Sequence, residues 1–471
     1  MSGSIYFPMD KRFVNITNID RGLIVRTWAH KHQGELAQMA YSDFIRLAPE
    51  PRELTGDQQY NVFLSYRSVN RAWVIALHDA LVQAGHKVFL DQVALVVGAN
   101  LRQSIENALM ASQSGVLIWS SAANDSQWVR DEFDVLRNRS MDESGEFFFV
   151  PIRLDDSPLP PMLNNQLFLD FSSYPDGPNG GELLRLLHGI VGKPLSDEAM
   201  RYSETLAEKT RSAGNAIGAA LENGDIDRLS ELAESVDDPW KVSPQLGCKV
   251  AEAMIRLGNN DEADLLTTDL MGKFPRALRP KQLRAHVLTR VNSSETLREA
   301  KQILGELVTD DQRDPETLGL YAKTWFEDYT ASGESTETRD KQLLRVARNH
   351  YRDGFNGSRD DTYCGINAAT KTLLLGEPNA IDEAKEIAKE VRSRLPEAVT
   401  PDMGYWDIAT IAEATLIAGD VEGAANLYQQ AIDSSSMEKA SHQSTFRNVE
   451  TLCDQLKLTE TERKQLTAPF S

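Results

Sequence analysis

Between residues 58 and 192 the chain alternates short apolar runs with amphipathic helical patterns, and beyond residue 196 it reads as helix only. That change of period restricts the fold more than any other feature. Residues 60–66, 87–90, 115–119, 147–152 and 167–169 are strand-like, and residues 71–84, 101–112 and 128–139 have helical spacing. In the first helix Trp73, Leu77, Ala80, Leu81 and Ala84 recur at three and four residues, and Gly85 supplies the terminating glycine. Gly115-Val116-Leu117-Ile118-Trp119 is apolar without alternation, as a strand covered on both faces requires. Strands joined through helices need crossover connections, so a parallel, doubly wound α/β sheet is expected.

In the helical half, three segments share one arrangement: Ala300, Leu304, Leu307; Ala384, Ala388, Val391; and Ala424, Tyr428, Ala431. A small residue, then one four on, then one three further, puts all three on one helix face. The small residue admits a neighbouring helix closely, which is the logic of tetratricopeptide-like helix pairs stacked into a superhelix. An irregular helical bundle is the alternative. The division read from the chain is an extension over 1–57, an α/β domain over 58–192 and a helical repeat domain over 196–471. Within the extension, 13–16 and 23–25 are strand-like and 33–47 has helical spacing.

Composition excludes several classes. The formal net charge of −20 opposes a nucleic-acid surface, which needs clustered Lys and Arg. Charges at Asp10, Lys11, Arg12, Asp20, Arg21 and Arg26 interrupt any signal-peptide core, and no run approaches eighteen apolar residues. A cytoplasmic protein with neither a membrane nor a nucleic-acid partner is expected. Cys248, Cys364 and Cys453 are too scattered for a disulfide framework. His30 and His32 lack a third ligand, so no metal site is expected.

Three motifs in order, Tyr60-Asn61-Val62-Phe63-Leu64-Ser65-Tyr66-Arg67, Val88-Phe89-Leu90-Asp91 and Trp128-Val129-Arg130-Asp131-Glu132, resemble the TIR domain family. The resemblance covers roughly 58–175 and implies a flavodoxin-like sheet. It also implies one of two functions: cleavage of NAD⁺ at the nicotinamide–ribose bond, or scaffolding alone. In cleaving members the Glu of the Trp-x-x-x-Glu motif is catalytic, a position matched here by Glu132. Trp128, four residues earlier, lies one helical turn away on the same face. By resemblance Phe63, Ser65, Tyr66, Arg67, Asp91 and Trp128 would contact the dinucleotide, which is substrate rather than cofactor. The chemistry suits these residue types: a carboxylate stabilises oxocarbenium-like charge on the ribose, and an indole stacks on a flat heterocycle. Residues 92–100 match the family's BB loop, although Val97 stands before Gly98 where the family often has proline.

A second resemblance lies in the helical half. Tyr351-Arg352-Asp353-Gly354-Phe355, Gly365-Ile366-Asn367-Ala368-Ala369 and Tyr405-Trp406-Asp407-Ile408-Ala409-Thr410 are similar to the TRAFs-binding regulatory region of apoptosis signal-regulating kinases. It implies that the repeats restrain or assemble the α/β domain in response to an unidentified trigger. Gly365, Asn367 and Trp406 would serve packing equally well.

The expected activity is therefore an NAD⁺ nucleosidase switched on by TIR self-association, as in a prokaryotic defence effector. A non-catalytic scaffold and a cyclase making a cyclic ADP-ribose signal are the alternatives. The apolar run Val93-Ala94-Leu95-Val96-Val97 in a surface loop predicts burial against a second TIR domain. Leu95→Glu should block assembly by forcing a charge into that contact. Unchanged particle size by light scattering would remove the loop from the interface.

Overall fold

The computed structural model describes residues 2–7, 12–17, 42–67, 70–90, 101–124, 127–141, 147–160, 163, 167–173, 177–178, 180–235, 238–291, 293–309, 313–331, 337–358, 361–400, 403–434 and 439–470. An antiparallel pair opens the chain, β1 (Ser2–Phe7) with β2 (Arg12–Thr17), followed by the short helix α1 (Ser42–Leu47). The strand expected at 13–16 lies within β2. Residues 23–25 and most of 33–47 lie outside the described residues, as do His30 and His32.

The α/β domain contains β3 (Tyr60–Ser65), α2 (Arg71–Gln83), β4 (Val88–Phe89), α3 (Leu101–Met110), β5 (Ser112–Trp119), α4 (Ser121–Asn124), α5 (Gln127–Ser140), β6 (Phe148–Arg153), β7 (Leu169–Asp170) and α6 (Gly180–Val191). Among the described residues the strands form one parallel sheet in the order β4-β3-β5-β6-β7, the flavodoxin-like order. β5 is buried throughout and begins three residues before the apolar run, because Ser112 and Ser114 already pair with Tyr60 and Val62. The strand expected at 167–169 begins only at Leu169: Leu167 is 95% exposed, and only Leu169 and Asp170 pair with β6.

α1 belongs to this domain by packing. Phe44 is buried in the sheet's apolar cluster, and a ring nitrogen of His188 on α6 lies 3.0 Å from the Leu47 carbonyl. The 49–59 segment is pinned to the sheet by Asn61, which donates to the Arg52 carbonyl at 2.8 Å, and by Gln113, which donates to the Glu53 carbonyl at 2.7 Å.

Helices follow to the end of the chain: α7 (Asp197–Glu222), α8 (Ile226–Ala233), α9 (Asp238–Val242), α10 (Gln245–Leu257), α11 (Asn260–Lys273), α12 (Leu278–Val291), α13 (Ser294–Thr309), α14 (Pro315–Ala331), α15 (Glu337–Asn356), α16 (Tyr363–Leu375), α17 (Ala380–Ser393), α18 (Tyr405–Ala418), α19 (Val421–Ser434), α20 (Lys439–Gln455) and α21 (Glu460–Thr467). From α10 to α19 each helix packs on its successor, and the result is a stacked array. The small-large triplets at 300–307, 384–391 and 424–431 are buried, each on the second helix of its pair. Gly365 is there for close approach: a Cβ would lie 2.4 Å from the Phe355 ring and 2.5 Å from Val391. Trp406, in contrast, is exposed. The cysteines are free and buried.

The two halves share one core. Leu278, Ala285 and Leu288 of α12 and Leu304 and Leu307 of α13 belong to the same apolar cluster as Val62, Leu64, Trp73 and Leu77. α6 meets α7 so closely that a Cβ on Gly181 would lie 2.0 Å from the Ser203 carbonyl oxygen. At the centre of the junction, the fully buried Asp79 on α2 accepts the backbone N–H of Arg279 at 2.9 Å. Arg279 is in the first turn of α12, where amide donors lack intrahelical acceptors, so one domain caps a helix of the other. The Arg279 guanidinium donates to Glu252 at 2.8 Å and Glu316 at 3.1 Å, and these carboxylates hold it charged despite burial. Arg71, the first residue of α2, faces Asp314 and Asp361; burial works against its charge, and these two carboxylates together with Glu316 and Tyr66 outweigh it.

Asp79→Ala leaves the buried Arg279 amide without its acceptor and should cost about 1–3 kcal/mol. Asp79→Asn, which keeps an acceptor oxygen, should cost less. Calorimetric unfolding of the full chain reads both, and equal unfolding of Ala variant and parent would show that the cap contributes nothing.

Candidate active site at the carboxyl edge of the sheet

The chain leaves β3 for β4 on one side and returns to β5 on the other, so its direction reverses between β3 and β5. Ligands of doubly wound sheets bind at such a reversal, beyond the carboxyl ends of the strands. Here β3 ends at Ser65 beside Leu117 of β5.

α5 carries the Trp-x-x-x-Glu motif, and its position follows from residues further along it. Phe133 and Leu136 are buried against the sheet, and Phe133 meets Phe149 with ring centroids 6.1 Å apart. Gly115 of β5 lets the helix settle deeply: a Cβ there would lie 2.1 Å from a Leu136 methyl. Arg139 in the last turn donates to the Leu109 and Ser112 carbonyls and covers the Phe147 ring at 4.1 Å. The helix backbone includes Trp128 and Glu132, so their helical spacing is as expected. Their side chains, together with Asp91 and the 92–100 loop, lie outside the described residues.

The remaining predicted contacts are described. Phe63 is buried and stacks on Phe89 with centroids 5.3 Å apart, which commits its ring to packing. Ser65 is buried at the end of β3. Tyr66 is buried in the apolar cluster that the sheet shares with the array, and its phenol faces Arg71. Arg67 is half-buried and follows directly on the strand. The structure therefore brings Ser65, Tyr66 and Arg67 to one edge but turns Tyr66 toward the domain junction.

Four residues not singled out from the sequence organise this edge. Asn70 donates to the Ser120 hydroxyl at 2.7 Å, tying the loop after β3 to the loop after β5. Asp155, after β6, accepts the Ser121 backbone N–H at 2.7 Å and the Ser157 N–H at 3.0 Å. Partial burial would raise the Asp155 carboxyl, but these donors outweigh it and hold its pKa below the ordinary value. Trp119 donates its indole N–H to the Pro158 carbonyl at 3.0 Å, closing the loop behind. The signal that could have found them is only their place at or beyond strand ends.

Because the folded pKa of Asp155 is depressed, its contribution to stability is present above the unfolded value and is lost as the pH falls through the folded one. Asp155→Asn should flatten the acid limb of thermal stability below about pH 4. An acid limb identical to that of the parent would remove Asp155 from this role.

Each half of the chain is similar to known proteins. The TIR domain family matches residues 62–186, and the family described as Tetratricopeptide Repeats-Sensor matches residues 248–375. The 2′ cyclic ADP-D-ribose synthase AbTIR of Acinetobacter baumannii is 32% identical over 118 residues, 25% of this chain and 41% of that protein. The NAD(+) hydrolase TcpA of a Theionarchaea archaeon is 28% identical over 95 residues, 20% of this chain and 28% of that protein. The chain thus spans less than half the length of these curated relatives. Among solved structures, the TIR domain of the Toll-related receptor TRR-2 from Hydra magnipapillata is similar at 22% identity and a TM-score of 0.22, over 24% of this chain and 86% of that one. Among the described residues no helix is long and apolar enough to cross a membrane. The order of strands, the motifs on β3 and α5 and the stacked helix pairs thus belong to a TIR domain followed by a tetratricopeptide-like sensor repeat region.

Proposed function

We propose that this chain cleaves NAD⁺ at the nicotinamide–ribose bond, with Glu132 as the catalytic carboxylate. The observation that carries the reading is the Trp128–Glu132 pair, four residues apart on α5, which with the short α4 connects the carboxyl end of β5 to β6. Relatives named as an NAD(+) hydrolase and as cyclic ADP-ribose synthases support the same substrate.

In this reaction the C–N glycosidic bond breaks and its electron pair neutralises the pyridinium, so nicotinamide leaves without a general acid. Positive charge develops on the ribose and is stabilised by the Glu132 carboxylate. Trp128 stacks on the heterocycle, and Ser65, Arg67 and Asp91 hold the rest of the dinucleotide at the strand ends. Water then forms the new C–O bond and loses a proton, giving ADP-ribose. Closure by a hydroxyl of the same molecule would give a cyclic product instead; relatives named as synthase and as hydrolase support either product.

TIR self-association through the 92–100 loop assembles the active form, and the array acts as sensor or assembly platform for a trigger. The junction gives the array its means of control, since α2 is held by Asp79 and Arg71 to α12 and its neighbours. This reading fits a cytoplasmic, prokaryotic defence effector that depletes NAD⁺, with no nucleic-acid or membrane partner and no metal or cofactor.

Purified full-length protein incubated with NAD⁺, with products separated by chromatography, tests the reading. Glu132→Ala and Glu132→Gln should lower turnover on the order of a hundredfold or more while leaving thermal unfolding unchanged. Parental turnover in a normally folded Glu132 variant would exclude it from the mechanism. A product that comigrates with ADP-ribose, or one that does not, separates hydrolysis from cyclisation.

A further inference from the structure

A cleft of a different kind lies away from the carboxyl edge of the sheet. It has a volume of about 740 Å³ and lies where the opposite, amino-terminal edge of the sheet meets the array. One wall comes from the end of α2 and the starts of β3 and β4, including His86 and Lys87; the other comes from the array, including Arg276 and Lys281. The size falls within the range of small-molecule sites, which runs from roughly 300 to 1,000 Å³.

Its chemistry departs from the rest of the molecule. The chain carries 70 acidic and 50 basic residues, yet no carboxylate is among the described residues that line the cleft. Basic side chains elsewhere at the junction are matched: Arg279 with Glu252 and Glu316, Arg284 with Glu299. Lys87, Arg276 and Lys281 form no hydrogen bond or ion pair through their side chains among the described residues. They converge across a domain boundary, where like charges repel and some compensation is called for.

A second observation points the same way. His86 is only 3% exposed, and neither of its ring nitrogens has a hydrogen-bond partner. Burial keeps this ring neutral, its pKa pushed down to about 4. A neutral imidazole presents one donor and one acceptor, and buried polar groups left unmet are rare in folded proteins. Val82, Leu278 and Leu307 supply an apolar patch in the same cleft.

We infer that this cleft binds a small phosphorylated molecule, with Lys87, Arg276 and Lys281 meeting the phosphate oxygens, His86 supplying a neutral hydrogen bond and the apolar patch covering the organic part. Guanidinium and ammonium groups make charge-assisted bonds to phosphate, and Arg does so with two parallel donors. Because its two walls come from different domains, an occupant spans the junction that Asp79 and Arg279 hold, and it reaches the TIR domain away from the edge that carries Ser65 and Arg67. The inference does not depend on NAD⁺ cleavage.

Isothermal titration calorimetry of the full-length protein with inorganic pyrophosphate tests it, and reads binding without turnover. Saturable binding at one site is expected, weakened at least tenfold in Arg276→Gln/Lys281→Gln and in Lys87→Gln. His86→Phe, matched to the parent in thermal unfolding, should weaken binding as well. If that variant is unstable, the exposed Lys87 and Arg276 positions carry the test alone. No saturable heat up to millimolar pyrophosphate would overturn the proposal. So would binding that persists at full strength in the Arg276→Gln/Lys281→Gln protein, since the anion would then sit elsewhere.

Discussion

One hydrogen bond defines how the two halves of this protein meet: the Asp79 carboxylate, fully buried on α2, accepts the Arg279 amide at the start of α12. A carboxylate taken out of water is costly unless donors surround it. On an isolated α/β domain Asp79 would face solvent; in the full chain it meets the amide donor and the favourable dipole at a helix start. Around that bond lie Arg279 with its two glutamates and Arg71 facing two buried aspartates. These charges accompany a continuous apolar cluster running from Val62 to Leu304. Polar pairing specifies the docking geometry, and burial supplies most of the free energy.

The same arrangement links the array to the candidate active site through adjacent residues. Asn70 bonds to Ser120 across the edge of the sheet, and the next residue, Arg71, faces the array carboxylates. Tyr66, one residue beyond β3, is buried in the shared cluster. A shift of the array relative to α2 would therefore act directly on the loop after β3. Such contiguity is a route for coupling, and a coupling free energy requires that the two ends prefer different arrangements of it.

The edge of the sheet opposite the candidate active site has a different character. Among the described residues its cleft collects basic side chains without carboxylates, and its buried histidine has unmet hydrogen-bonding groups. In an acidic protein such a place stands out by what it lacks. Both sites border the junction, one through the loop after β3 and the other through the end of α2.

The amino-acid sequence by itself determined the local order of the molecule. The apolar runs at 60–66 and 115–119 became the central strands, and the small-large triplets such as Ala300, Leu304 and Leu307 became buried helix faces. Hydrophobic period is a short-range property, set by strand pleat or helix turn, and it is legible wherever one face is buried. The Trp128–Glu132 spacing was legible for the same reason. Tertiary structure alone decided where long-range partners lie. Asp79 reads in the sequence as an ordinary polar position of an amphipathic helix, and its partner is 200 residues away. Phe44 reads as part of an extension, but it packs into the sheet's core; Tyr66 reads as a ligand contact, but it is buried at the junction. His86 and Arg276 have no common pattern in the chain and share a cleft only because α12 docks on α2. A buried charge or an unmet donor takes its meaning from whatever the fold brings beside it, and no local pattern encodes that neighbour.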